Sequence, residues 1–384
     1  MSTTEVPVSS PSERATLEVS ESVENVQPSK PAPKTWLFGP ALDLLFVSNI
    51  FWPLLVGVIL IWQLPIVGAA DPQAGVIAPL SFFQIYFISS PHRWITLVLV
   101  FLDPERFRQE PKKFAAYGSG LILLGLGLAA LGALGVGGVG ASSLGMNNAL
   151  KTLGLFMMLD YIWNAWHFAA QHAGISAIYR RLGQIEKTPK QVEFEMSSMR
   201  LLVLWVFLRF GVYTAIAGSP QLGFDRLLPY LRWVDFAIAI PAAIVLYHEL
   251  RDFDRRRFGR TAYVVSMLSL YFAQMAAIQL GRHELIPGLF FAQAIFHATE
   301  YLAVVNWSVQ SRRSGIWKYQ LARGGIGMVV FIGIIGISNW AINHNSAYAW
   351  ALITLLVSLL HYAYDGMIWK SKRNKKPAPS AATT

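Results

Sequence analysis

Six of the eight histidines in this chain, His92, His167, His172, His248, His297 and His361, fall inside long apolar runs. An ionisable side chain is expensive there and by default marks a functional interior. The residues around them follow helical spacing. Asp160, Asn164, His167 and Gln171 are four, three and four residues apart, which puts them on one helix face at about 100° per residue, whereas His172 points to another face. Gln293, His297 and Glu300 share a second face, and His361 and Asp365 are one turn apart. Imidazole and carboxylate are the ligands that iron and related transition ions prefer, and a metal-bound histidine commonly hands its second N–H to a carboxylate or amide. Glu300, three residues after His297, echoes in reverse the Glu-x-x-His element of carboxylate-bridged di-iron bundles. The candidate metal ligands are therefore His92, His167, His172, His248, His297, Glu300, His361 and Asp365, with Arg93, Asp160, Asn164, Gln171 and Gln293 as supporting or substrate-facing groups.

The elements that carry these residues follow from composition. Of 384 residues, 54% are hydrophobic and 14% charged, against about a quarter charged in an average soluble domain; mean hydropathy is +0.42. The chain reads as an integral membrane protein. It has no cysteine, so disulfides, thiolate zinc sites and iron–sulfur clusters are excluded. A bilayer core of roughly 30 Å needs about 20 apolar residues per helix. Ten such blocks occur, near 42–62, 80–102, 119–139, 153–177, 201–217, 233–249, 262–279, 288–308, 326–343 and 348–369. If the N-terminus is cytoplasmic, 26 of the 32 lysines and arginines fall in cytoplasmic segments, as the positive-inside rule requires. The net charge of +10 is then a matter of orientation and not of nucleic-acid binding. The expected architecture is all-α and polytopic, about ten transmembrane helices with both termini cytoplasmic, in the cell membrane. Residues 1–38 form a disordered tail, 39–370 the helical domain and 371–384 a basic tail.

In this topology every histidine within a span lies on a helix running inward. Counted from the outer end of each block, His92 is 12 residues in, His167 14, His248 15, His361 13 and Glu300 12. At about 1.5 Å per residue these five groups occupy one layer. The stretches His167-Phe-Ala-Ala-Gln171 and His361-Tyr-Ala-Tyr-Asp365 look alike, too briefly to establish a repeat. Pro91 interrupts the second block, which is one kinked helix or two pieces, and brings His92 and Arg93 with it. Asp365, Glu300 or an acidic substrate are the expected partners of Arg93. The glycine-rich third and ninth blocks suit close helix packing and offer no chemistry.

Plainer readings compete. Histidines within a membrane also act as hydrogen-bonding glue between helices, and His248, beside Glu249 and Arg251, fits a surface residue as well as a ligand. Arg209 fits a structural ion pair. Trp62, Trp307 and Trp369 fit interface anchors. His248-Glu249 and His283-Glu284 begin like a zinc-protease signature, but Asp252 and Pro287 stand where its second histidine belongs. The His167-to-His172 spacing resembles one box of the histidine-box membrane desaturases and hydroxylases; no H-x-x-H-H box accompanies it, and membership is not assigned. The function expected is that of a membrane metalloprotein, an oxidoreductase using one or two irons on an apolar, lipid or isoprenoid-type substrate drawn from the bilayer. The alternatives are a proton-coupled transporter working through the same polar layer and a bis-histidine haem b electron carrier.

Overall fold

The computed structural model describes residues 32–62, 79–108, 110–136, 143–218, 224–313 and 315–369. Among them every regular element is helical, as befits a backbone that must pair its own donors and acceptors where water is absent. The chain opens with α1 (Pro40–Val47) and α2 (Trp52–Ile61), bent by 53° to each other. A short helix, Pro79–Phe83, then runs through π-helical Gln84–Ser89 into α3 (Ser90–Phe101). The remaining long helices are α4 (Pro111–Val136), α5 (Ser143–Leu182), α6 (Pro189–Gly218), α7 (Leu228–Arg251), α8 (Phe258–Gln279), α9 (Ile286–Val309), α10 (Gly325–Asn345) and α11 (Ala347–Ile368).

Local chemistry sets several of these boundaries. Proline opens α4 and α6, where its missing N–H costs nothing. Ser346 separates α10 from α11, its hydroxyl accepting from the Ala349 N–H at 3.2 Å. At Pro91 the helix does not break. The π-turn shifts the pattern before the proline, with Ser90 N–H donating to Ile85 O, and His92 then follows on regular helix.

Among the described residues, six helices are long and apolar enough to cross a membrane: residues 189–214 of α6, α7, residues 255–279 covering α8, α9, α10 and residues 349–368 of α11. Counting bent α1 and α2 as one span gives up to seven. The protein is thus a multi-pass membrane protein, with fewer qualifying spans than the ten expected, although helices stand at all ten block positions. At α3 and α5 the reason is visible: one is interrupted by the π-turn, and the other spends its apolarity on Asp160, Asn164, His167, Gln171 and His172. The tail boundary also moves. Residues 33–38 are tied to the helical unit, Lys34 N–H donating to Leu182 O, and Leu37 and Phe38 N–H to the buried Asp43 carboxylate at 2.7 and 3.0 Å. Residues 1–31 and those from 370 onward lie outside the described residues.

Burial distinguishes centre from rim. Of the apolar window of α9, 72% is buried, and of that containing α8, 67%; for α7 and α10 the shares are 17% and 11%. Helices α8 and α9 pack on each other in the middle, α5 lies against both and α3 against α9, and α11 packs on α3 and α5. Glycines on α4 allow α11 to approach, since a side-chain carbon at Gly118 would meet the Tyr364 hydroxyl at 3.0 Å. Arg209 does belong to an ion pair. Its Nε lies 3.2 Å from the Asp235 carboxylate, which also accepts from Trp205 Nε1 at 2.7 Å, joining α6 to α7. Arg260 at the start of α8 is held by both Glu195 and Glu249, and all three are buried.

Removing one partner of a buried pair leaves an uncompensated charge. Asp235→Ala is expected to destabilise the protein by about 3–5 kcal/mol, with part of the loss restored in the Asp235→Ala/Arg209→Met double variant; thermal unfolding in detergent checks both.

Candidate metal centre

Four helices bring their histidines to one place: α3 carries His92, α5 His167 and His172, α9 His297, and α11 His361. All five are buried. They form two adjoining groups, His92 with His167 and His361, and His172 with His297 and Glu300, the ligand-type atoms of each group lying within 4.8 Å of one another. His297 also borders the first group. Its ring centroid is 5.1 Å from that of His92 and 5.0 Å from that of His167, while His361 lies 5.0 Å from His92 and 4.5 Å from His167. Four imidazoles thus close a ring of neighbours, His92–His297–His167–His361.

Hydrogen bonds fix which nitrogen faces inward. The Tyr301 hydroxyl donates its only proton to Asp365 Oδ1 at 2.6 Å. Thr96 Oγ1, 2.7 Å from that hydroxyl, then donates to it and can only accept from His361 Nδ1 at 2.6 Å. His361 therefore carries its proton on Nδ1 and presents a bare Nε2. His92 Nδ1 donates to the Ser89 carbonyl at 2.6 Å, which again leaves Nε2 bare. His167 Nδ1 faces Asp365 Oδ2 at 3.6 Å. The Nε2 atoms of His167 and His361 are 3.0 Å apart, close enough to share a proton or to bind one cation side by side. His297 is only 1% exposed and neither of its ring nitrogens has a partner; its ring lies flat on Phe168, with centroids 3.4 Å apart.

His172 differs from the other four, in keeping with its separate face on α5. Its Nδ1 is 3.0 Å from Glu300 Oε1 and from the Tyr263 hydroxyl, and its Nε2 is 3.0 Å from the Tyr271 hydroxyl. Glu300 also accepts from Gln171 Nε2 at 2.8 Å and from the Tyr263 hydroxyl at 2.9 Å. Gln293 continues this network outward, donating to Tyr271 and accepting from Gln274 Nε2 at 2.7 Å. His172 and Glu300 are thus braced by partners on α8, whereas His297 is free to bind.

Several expectations need correction. His248 is exposed at the end of α7 beside the Tyr247 ring and does not join the cluster; its depth matched that of the others, but the helix turns it outward. Asp365 supports His167 on α5 and not His361 on its own helix, because the Nδ1 of His361 is taken by Thr96. Arg93, half-buried with an unpartnered Nε, acts electrostatically on Asp160; the carboxylate oxygens of Glu300 are occupied by Gln171, His172 and Tyr263. Asp160 and Asn164 are half-buried and make no hydrogen bond to the histidines. Trp369 is more than an anchor, since it packs near Tyr301 and lies under the Arg106 guanidinium.

Thr96, Tyr301, Tyr263 and Tyr271 were not anticipated. A signal existed for two of them, because Thr96 follows His92 and Tyr301 follows His297 by one turn. The tyrosines of α8 carry no local signal, and they place part of the polar load on a helix that has no histidine. Two cavities reach the cluster. One, about 420 Å³, includes Gln171, Tyr301 and Asp365 in its wall with Arg181 and Arg200; the other, about 340 Å³, includes His167, Asp365, Trp163 and Trp166.

Truncating Tyr263 to Phe removes a donor from buried Glu300 and is expected to cost about 1–3 kcal/mol, measurable as a lowered Tm. Comparison with known protein families, with curated proteins and with solved structures returned no match.

Proposed function

We propose that the protein is a membrane metalloenzyme, an oxidoreductase in which His92, His167, His297 and His361 hold one iron ion and act on an apolar substrate of the bilayer. The observation that carries the reading is the convergence of imidazole nitrogens: Nε2 of His167 and His361 at 3.0 Å, with the Nδ1 atoms of His92 and His361 committed as donors and both nitrogens of His297 unpartnered. Two imidazoles bound side by side at about 2.1 Å from one ion, a normal metal–nitrogen length, bring their nitrogens to about 3 Å. Ligands on opposite faces of a haem would stand about 4 Å apart at the same bond length, so the cluster favours a non-haem ion over haem b. A neutral imidazole set suits iron, copper or zinc. Iron is chosen because the dry apolar surroundings fit oxidation of a hydrocarbon, the chemistry the ion would supply when bound.

The chain's own residues do the positioning. Asp365, Tyr301 and Thr96 form a relay that orients His361 from behind, and Asp365 also faces His167; Glu300, His172 and Gln171 brace the other side, Gln171 also donating to the His297 carbonyl at 2.9 Å. Such outer partners keep ligand rings in place and raise their basicity. A second ion in the group of His172, His297 and Glu300 would displace the tyrosine contacts of His172, which favours a single-ion centre. Ten spans with both termini in the cytoplasm of the cell membrane remain our assignment of topology, supported by the one-sided basic residues.

The proton-coupled transporter is the second reading. It draws on the continuous hydrogen-bonded path from His361 through Thr96 and Tyr301 to Asp365 at the wall of the larger cavity.

Three outcomes are expected. Detergent-purified protein carries about one iron per chain by elemental analysis and shows no Soret band, and His361→Ala or His297→Ala loses the metal while remaining helical by circular dichroism; a folded, metal-free wild type that moves solute under a pH gradient in proteoliposomes selects the transporter instead. Thr96→Val, which removes the acceptor behind His361, weakens metal affinity by about 10–100-fold. Single cysteines placed in this cysteine-free chain near residues 108 and 255 react with a membrane-impermeant thiol reagent only from the cytoplasmic face.

A further inference from the structure

The larger cavity contains a charge that the metal centre does not use. Arg200, which the sequence places just before the fifth apolar block, is half-buried within the candidate span at residues 189–214 of α6, where a guanidinium is costly and normally paired. Among the described residues no carboxylate lies within ion-pair distance of it, and its Nε is buried without a hydrogen-bond partner. Glu195, one and a half turns away, is already bound by Arg260, Lys187 and Ser176. The guanidinium lies over the Trp166 ring, 5.9 Å from its centroid. The wall beside it is mainly apolar, formed in part by Ile175, Ile178, Met196 and Val304, with Asp365 and Gly366 on α11. Arg181, exposed and about 15 Å along α5 from Gln171 at 1.5 Å per residue, lines the same cavity.

From this geometry we infer that Arg200 is the anchor for the carboxylate of a long-chain fatty acid, which it holds in the cavity with the acyl chain against the apolar wall. The inference rests on the proposed function in taking this ligand as the substrate of that site. A guanidinium presents a fork of N–H donors that matches the two oxygens of one carboxylate. One such cation at this depth neutralises one negative charge. A phosphate head would bring a second negative charge toward Asp365 in the same wall. The apolar wall supplies burial for the chain at about 0.8 kcal/mol per methylene, and the cavity volume of about 420 Å³ falls in the range of small-molecule sites.

The test is equilibrium binding of radiolabelled oleate to the full-length protein in phosphatidylcholine nanodiscs, with metal content measured on the same samples. Expected are saturable binding of one oleate per chain, a loss of at least tenfold in affinity for Arg200→Gln, substantial retention in Arg200→Lys, and at least tenfold weaker competition by methyl oleate than by unlabelled oleate. Gly366→Leu provides an independent variant, because a side-chain carbon built at Gly366 meets nothing within 4 Å and would grow into the cavity; it should weaken binding with Arg200 intact. Unchanged oleate affinity in folded Arg200→Gln and Gly366→Leu, equal competition by the methyl ester, or tighter competition by oleyl phosphate than by oleate overturns the inference. Metal-free protein that still binds oleate through Arg200 upholds it while removing the metal centre, so the two readings fail separately.

Discussion

The structure turns on a set of nitrogen lone pairs that converge in a dry interior. An imidazole nitrogen buried without a partner forfeits the hydrogen bond it would make in water, a penalty of kilocalories per group, and His297 carries two such nitrogens. His92, His167, His297 and His361 arrive from four helices: His92 is tied to a carbonyl and His361 to a threonine, His167 faces a carboxylate, and His297 has no partner. Helix order around the centre follows from this. The two best buried helices, α8 and α9, carry the tyrosines and carboxylate that brace the cluster, and the rim helices α7 and α10 carry none of it.

Tyrosine is the recurring support. Tyr301 donates to Asp365, and Tyr263 donates to Glu300, so each buried carboxylate near the cluster receives a neutral donor in place of a cation. Two buried arginines form their ion pairs elsewhere: Arg260 is committed to Glu195 and Glu249, and Arg209 to Asp235. A carboxylate supported by hydroxyls keeps more of its capacity to polarise a histidine than one neutralised by a guanidinium. Arg200 differs from these pairs, since the protein gives it an aromatic face and no acid.

Much of the site was legible residue by residue, because helical spacing is a local property. His167 and Gln171, His297 and Glu300, and His361 and Asp365 each lie one turn or less apart, and all of them meet in the folded chain. His248 shows the limit of that reasoning. Depth along a helix follows from counting, whereas the direction a side chain faces depends on how the helix is rotated against its neighbours, and α7 sits at the rim. The span count shows a second limit: a π-turn and a polar helix face lower the apolarity by which spans are recognised.

Composition and periodicity alone determined that the chain is helical, embedded in a membrane, free of thiolate chemistry and loaded with histidines in apolar runs, since these depend only on residue type and on short-range spacing. Tertiary structure alone decided which imidazoles share a site, which of their nitrogens face inward, that Asp365 serves a histidine on another helix, and that Arg200 lacks an acid. Those are contacts between residues up to 265 positions apart. They are set by helix rotation and packing, for which no local pattern in the chain provides a signal.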